Sequence, residues 1–230
     1  MAGVSRLQYA TDIRIVRLMC TGRIDLAFVL RAFSNGNDGV FVGGCWLGEC
    51  HYLTEGNYDA LSMMHLCKKL LGYIGISPDR LRLEWLSSSE GTRYAEVVND
   101  FSSQLKKLGP LGEGEGMDDE TLKFKLEAVT KLIPYIKLVE RERLRVPVKT
   151  QSAYEEFFAG EEFHRLFDEL VGDKLAMTQI MLLLRDSPLS TGDISERLGL
   201  KPSEVARQVN AASRQGLLRY DDSHKRFALA

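Results

Sequence analysis

Residues 38–52 read DGVFVGGCWLGECHY, a short apolar run between glycines that leads directly into two cysteines. A run of this length and composition predicts a strand that is buried on both faces, as in a parallel sheet. Residues 13–18 and 81–86 predict two further strands, and residues 25–33, 57–73 and 90–108 show helical periodicity, with Asp25 as the expected cap of the first helix. Because strand and helix alternate three times, the sequence favours an α/β domain with a parallel sheet.

Three cysteines follow the predicted strands. Cys20 comes after the first strand, Cys45 comes after the second, and Cys50 lies on the same loop as Cys45. Since ligands gather at the carboxyl ends of parallel strands, we expect these thiols to face one site. A C-x4-C spacing allows two thiolates to reach one metal centre, and it occurs within the plant-type ferredoxin pattern. Two alternatives stay open, namely buried thiols and a reversible Cys45–Cys50 disulfide.

The fourth cysteine and two histidines are weaker candidates. Cys67 lies within the predicted helix at residues 57–73, roughly 15 Å along the helix axis from the loop, so we expect a core thiol. His51 adjoins Cys50 and either binds metal or hydrogen-bonds the loop, while His65 shares the helix of Cys67. Residues 87–91 read SSSEG, which favours a helix cap at Ser87 or Ser88 over the alternative of an anion-binding segment.

The composition excludes several classes of protein. The chain has 230 residues with a formal net charge of −2, so no overall charge draws it to nucleic acid or an acidic membrane. Apolar runs are too short to cross a bilayer, and the start lacks the apolar core of a signal peptide. We therefore expect a cytoplasmic protein, in which four cysteines argue against structural disulfides.

The second half of the sequence predicts three further parts. Residues 109–119 are rich in glycine and acidic residues, as in a linker, and two helical stretches follow. The last part has the order of a winged helix-turn-helix, in which helices precede a hairpin. We predict an α/β domain at 1–110, a linker at 111–120, a helical connector at 121–172 and a winged helix at 173–230.

The charge of the predicted winged helix indicates whether it binds DNA or protein. From Asp186 to the end, the chain has seven Lys or Arg residues against six Asp or Glu residues. This excess is small for a surface that binds phosphates, so docking to a protein is favoured over binding to DNA.

Four motifs of the first half resemble one family, the delta subunit of methyl-viologen-reducing hydrogenase. They lie at residues 19–25, 38–52, 56–57 and 82–91, and the resemblance extends from the first residue to about Pro110. Members of this family carry a [2Fe-2S] cluster. They pass electrons between a hydrogenase or formate dehydrogenase and the flavin subunit of heterodisulfide reductase in electron-bifurcating complexes.

This resemblance implies a function without catalysis of its own. Cys20, Cys45 and Cys50 fall on the cysteine positions of the family and would bind the cluster, whereas Cys67 does not. The chain would be an electron-transfer subunit of an oxidoreductase complex. The alternatives are a redox-responsive DNA-binding regulator that uses the winged helix, and an assembly protein without a cofactor.

The sequence departs from the family at its start and in its second half, which the short archaeal form lacks. Family members begin with a strand and a cysteine-rich turn that precede the segment resembling residues 2–9. We therefore expect the true start to lie upstream of Met1, with the fourth ligand there, either cysteine or selenocysteine. A selenocysteine codon read as a stop would account for the given start, and the chain as written would hold its cluster poorly.

The DNA upstream of Met1 tests this expectation. Its translation in the same frame should contain a strand followed by a turn rich in cysteine, with a UGA codon at the selenocysteine position if that residue is used. Upstream DNA without such a segment would contradict the expectation.

Overall fold

The apolar run after Asp38 forms a strand beside the third predicted strand. In the computed structural model, which describes residues 6–230, β1 (Val40–Gly44) and β2 (Leu81–Trp85) pair in parallel, with Val42 opposite Leu83. The first five residues, where the predicted first domain begins, lie outside the described residues. The parallel sheet of the α/β prediction is confirmed, with two strands in the described part of the chain.

The three helices predicted in the first half are confirmed. They are α1 (Leu26–Ser34), α2 (Asn57–Tyr73) and α3 (Gly91–Leu108). Asp25 caps α1 as expected, since its carboxylate accepts a hydrogen bond of 2.9 Å from the backbone N–H of Ala27. The helix α3 begins after Glu90 instead of at a serine, so the predicted serine cap is wrong.

The strand predicted at residues 13–18 is wrong. This run has no regular secondary structure, and the sheets within residues 6–230 pair only β1 with β2 and β3 with β4. Most of its apolar side chains face solvent, with Ile15 67% exposed and Val16 81% exposed. Alternation predicts a strand only where a neighbouring strand supplies backbone partners, and this run has no such neighbour among the described residues.

The middle of the chain is helical, as predicted. It contains α4 (Asp119–Arg143), α5 (Gln151–Ala159), α6 (Glu161–Phe167), a π-helical turn (Asp168–Gly172) and α7 (Asp173–Asp186). The apolar faces of these helices join α1 and α2 in one hydrophobic core, which extends from Leu26 to Leu182. Within residues 6–230, none of the helices combines the length and apolar composition needed to span a membrane.

The glycine-rich segment between the two halves is held by Arg80. This guanidinium is completely buried and pairs with Glu115 through Nε at 2.6 Å and Nη2 at 3.1 Å. It also donates to the carbonyls of Asp38, Gly109 and Pro110. Burial alone would raise the pKa of Glu115, but hydrogen bonds from Arg80 and two backbone N–H groups outweigh it and lower the pKa. The segment is therefore fixed against the start of β2.

The last part has the predicted order of elements. It consists of α8 (Thr191–Leu198), α9 (Pro202–Arg214), β3 (Leu218–Asp221) and β4 (Arg226–Leu229). The strands β3 and β4 are antiparallel, and Leu189 forms a bridge with Phe227 beside them. These elements share a second, smaller core with the end of α7.

Replacement of Arg80 by methionine should strongly destabilise the chain. The Arg80→Met variant leaves the buried Glu115 carboxylate and three carbonyls without their donor, a loss of about 3–5 kcal/mol in the free energy of unfolding. Urea denaturation measures this loss. Arg82→Met on the same strand is the control and should cost about 1 kcal/mol, because its partners are partly solvated. Equal losses in the two variants would contradict this role of Arg80.

Candidate metal centre

Cys20 stands at the start of a tight turn that packs against two glycines. The turn is a single 3-10 turn (Thr21–Arg23), and the Cys20 carbonyl accepts a hydrogen bond of 3.0 Å from the N–H of Arg23. Thr21 is buried against Gly44, where an added Cβ would lie 2.5 Å from the Thr21 hydroxyl. The Cys20 turn therefore lies directly beside the end of β1, where Cys45 follows.

A second glycine contact joins the Cys20 turn to Cys50. An added Cβ at Gly22 would lie 2.6 Å from the Cα of Gly56, and one at Gly56 would lie 2.6 Å from Cys50 Sγ. Gly56 also has φ of +49°, a backbone conformation that favours glycine. The turn packs on Gly56, and Gly56 packs on the buried Cys50 sulfur, because neither Gly22 nor Gly56 has a side chain.

Cys45 is held by Asn57, which was not predicted as a site residue. The Asn57 amide nitrogen donates to the carbonyls of Cys45 and, at 3.1 Å, of Trp46. The Cys45 thiol in turn donates to the Asn57 side-chain oxygen at 3.6 Å. The sequence singles out residues 56–57 as one of the motifs of the resemblance, but an asparagine at a helix start has an ordinary local explanation, so the contact with Cys45 was not predicted.

Trp46 ties the cysteine loop to the segment that follows β2. Its indole N–H donates to Glu90 at 2.8 Å, and the same carboxylate oxygen accepts from the Ser87 N–H at 2.6 Å. The Arg93 guanidinium lies 5.1 Å from the centre of the Trp46 ring. These hydrogen bonds, followed by the nearby charge of Arg93, lower the pKa of Glu90. The segment at residues 87–91 thus uses its own carboxylate to fix the loop.

The two histidines lie in different environments. His51 is exposed and packs edge-on against Tyr52. His65 stacks on Phe158 of α5 with ring centres 4.7 Å apart, and burial followed by the nearby Lys68 lowers its pKa. The contact with Phe158 assigns His65 to the interface between α2 and α5.

The thiols of Cys45 and Cys50 are close enough to interact. Burial and, after it, the neighbouring Cys50 raise the pKa of the Cys45 thiol, while the hydrogen bond to Asn57 partly offsets these effects. Among residues 6–230, no three His, Cys, Asp or Glu side chains converge closely enough to hold a metal ion. The described residues therefore supply two thiols on one loop and a third cysteine on the turn that packs against Gly44 and Gly56.

Comparison with known proteins places the first half of the chain in one family. Residues 1–109 match the family described as methyl-viologen-reducing hydrogenase, delta subunit. The iron-sulfur subunit of the F420-non-reducing hydrogenase of Archaeoglobus profundus is 51% identical over 110 residues, which cover 48% of this chain and 80% of that protein. The chain belongs to this delta-subunit family.

In two other relatives, the matched region makes up very different shares of the protein. The iron-sulfur subunit of the vhc F420-non-reducing hydrogenase of Methanococcus voltae is 45% identical over 121 residues, 52% of this chain and 83% of that protein. A subunit of the ferredoxin:CoB-CoM heterodisulfide reductase of Methanosarcina mazei is 44% identical over 112 residues, 49% of this chain but 14% of that much longer protein. These matches confirm the predicted resemblance to the delta-subunit family.

The residues of this family member fit an iron–sulfur group in donor chemistry. Thiolate sulfur is the ligand that iron–sulfur clusters use, and Cys45 and Cys50 supply two thiols on one loop. Gly56 places no side chain against the Cys50 sulfur, and Gly22 allows the Cys20 turn to pack on Gly56. The two hydrogenase relatives named above are themselves described as iron-sulfur subunits, which agrees with these donors.

Cys67 is separate from this site. It is completely buried in the core, and burial followed by the nearby Glu140 raises the pKa of its thiol far above the ordinary range. Burial also raises the pKa of Glu140 to about 7, and Asp59 and Asp25 add to the effect. A hydrogen bond with Ser62 and the charge of Lys137 act in the opposite direction but do not cancel it.

The raised pKa of Glu140 predicts a pH-dependent stability. Between pH 4.5 and about 7, folded Glu140 stays protonated while the unfolded chain loses the proton, so stability falls as pH rises and the loss is complete above pH 7. Glu140→Gln removes this cost. It should raise the free energy of unfolding by about 1–3 kcal/mol at pH 8 and by little at pH 4.5.

Urea denaturation of the wild type and Glu140→Gln at pH 4.5 and pH 8 measures this difference. Glu142→Gln is the matched control on the same helix, because Glu142 is exposed and pairs with Arg141. A gain in Glu140→Gln that is the same at both pH values would contradict the raised pKa.

Proposed function

We propose that the chain is an electron-transfer subunit that holds a [2Fe-2S] cluster through Cys20, Cys45 and Cys50. It relays electrons between a hydrogenase or formate dehydrogenase and a heterodisulfide-reductase-like flavoprotein in an electron-bifurcating complex. The observation that carries this proposal is the stacking of the Cys20 turn, Gly56 and the Cys50 sulfur, beside the Cys45 thiol. The names of relatives in the same family support the kind of cofactor and the kind of partner.

The chain's own residues would hold the cluster and orient its ligands. When bound, the cluster supplies a one-electron redox centre, with a fourth ligand in addition to the three cysteines. Asn57 and the Trp46–Glu90 pair fix the loop that carries Cys45. Because the pKa of Cys45 is raised, its thiol is neutral at pH 7 and has to lose its proton when it binds iron.

The surface beside the cysteines supports contact with a partner protein. Met19 adjoins Cys20 and is 91% exposed, while Tyr52 and Leu53, just after Cys50, are 54% and 63% exposed. Apolar side chains this exposed favour a surface that another protein covers. Such contact would place the partner directly at the proposed cluster, which electron transfer between subunits requires.

We further propose that residues 173–230 form a winged helix used for docking to protein. The order α8, α9, β3 and β4 supports this assignment. In a DNA-binding winged helix, α9 would enter the major groove. However, its Arg207 pairs with Asp173 of α7 through hydrogen bonds of 2.8 and 2.6 Å. The positive charge of this arginine is therefore already neutralised. This pair favours docking over a DNA-binding regulator.

We propose domain boundaries at residues 110, 120 and 172. The segment between the end of α3 at Leu108 and the start of α4 at Asp119 contains no long helix or strand, which supports a boundary there. The connector helices α4–α6 pack in the same core as α1 and α2, so we propose that the connector folds onto the cluster domain.

Iron analysis of cysteine variants tests the proposed function. The protein is produced without oxygen from its natural gene region, including any translated upstream sequence. Cys45→Ser and Cys50→Ser should lose most of the iron and the visible absorption of the cluster, and Cys20→Ser should lose them too. Cys67→Ser is the matched control and should retain both. Wild-type protein without iron, or equal iron in all variants, would refute the proposal.

A further inference from the structure

The Asn57 side chain forms its hydrogen bonds with the cysteine loop and not with the helix that Asn57 begins. It is only 1% exposed, and it is the first residue of α2. Its amide nitrogen donates to the carbonyls of Cys45 and Trp46, and its oxygen accepts from the Cys45 thiol. Both amide hydrogens and the side-chain oxygen therefore bind residues that lie eleven or twelve positions earlier.

The loop depends on these contacts because it contains few hydrogen bonds of its own. Between Cys45 and Gly56, the described backbone bonds are Glu49 to Trp46 at 3.0 Å and Glu55 to Tyr52 at 3.3 Å. The carbonyl of Trp46 accepts from both the Glu49 N–H and Asn57. Asn57 thus connects the first turn of the loop to α2, whereas the Trp46 indole connects it to Glu90.

We infer that Asn57 is the positioning residue for Cys45 and for the loop that covers Cys50. Its hydrogen bonds to the Cys45 carbonyl and the Cys45 thiol fix the direction of the Cys45 sulfur. It also keeps the loop closed over Cys50, which is 5% exposed. The consequence for a bound cluster rests on the proposed function. The positioning of Cys45 and of the loop is a property of the chain without iron.

Alkylation of the metal-free protein tests this positioning. Iodoacetamide reaches the buried Cys50 when the loop opens, and it reaches Cys67, in the middle of α2, only when the fold opens. Asn57→Ala should raise the rate at Cys50 by about tenfold or more, the effect expected from the loss of two buried hydrogen bonds, and leave Cys67 unchanged. Peptide mapping by mass spectrometry reports the two rates separately.

Two further variants complete the test. Asn57→Asp keeps the shape of the side chain, removes the donor nitrogen, and should also raise the rate at Cys50. Asn210→Ala, at an exposed position of α9, is the control and should change neither rate. If the rates at Cys50 and Cys67 rise together, Asn57 merely stabilises the fold and the inference is wrong. If neither rate changes in Asn57→Ala, the loop does not depend on Asn57, and the inference is also wrong.

The iron-loaded protein gives a second readout. Asn57→Asp places a carboxylate against the Cys45 sulfur, so it should lower the reduction potential of the bound cluster, whereas Asn210→Asp should not. An unchanged potential in loaded Asn57→Asp would contradict the placement of Asn57 at the ligand. If wild-type protein binds no iron but Cys50 shows the expected alkylation pattern, the proposed function fails and the positioning by Asn57 stands.

Discussion

The buried guanidinium of Arg80 is the interaction on which the arrangement of the two halves depends. It reaches the loop before β1 through Asp38, the end of α3 through Gly109, and the turn before α4 through Glu115. The glycine-rich segment has few apolar side chains to bury, so packing alone gives it little reason to stay in one place. The buried Arg80 guanidinium instead fixes the segment, because its donors bind a carboxylate and three carbonyls.

Once this segment is fixed, α4 follows it and packs against α1 and α2. Near its far end, Lys137 pairs with Asp25, the residue that caps α1. Asp25 lies directly after the turn that carries Cys20. The helical half therefore supports the cysteine end of the α/β half through a charge pair, in addition to the apolar core that they share. This coupling explains why the connector helices have so many buried apolar residues.

The regular elements were largely predictable because each has a local pattern. The bounds of α2 follow from its apolar stripe, and the cap of α1 follows from the single residue Asp25. The run from Ile13 to Leu18 has an equally good pattern but no neighbouring strand in the described chain, and local pattern contains no information about neighbours. Pairing therefore decided which apolar runs became strands. The candidate site was predictable as a set of cysteines, but Asn57 was not, because its partners lie eleven and twelve residues away and an asparagine near a helix start has an ordinary local explanation.

The contrast between Cys50 and Cys67 shows what makes a buried thiol available for chemistry. Both side chains are almost fully buried, at 5% and 0% exposure, so burial alone does not distinguish them. Cys67 is enclosed by the side chains of a packed helix interface, and only unfolding would expose it. Cys50 instead faces Gly56 and the turn at Gly22, where backbone atoms replace side chains. A ligand can reach Cys50 by displacement of a loop that a few hydrogen bonds hold, so glycine placement, and not burial, separates the two thiols.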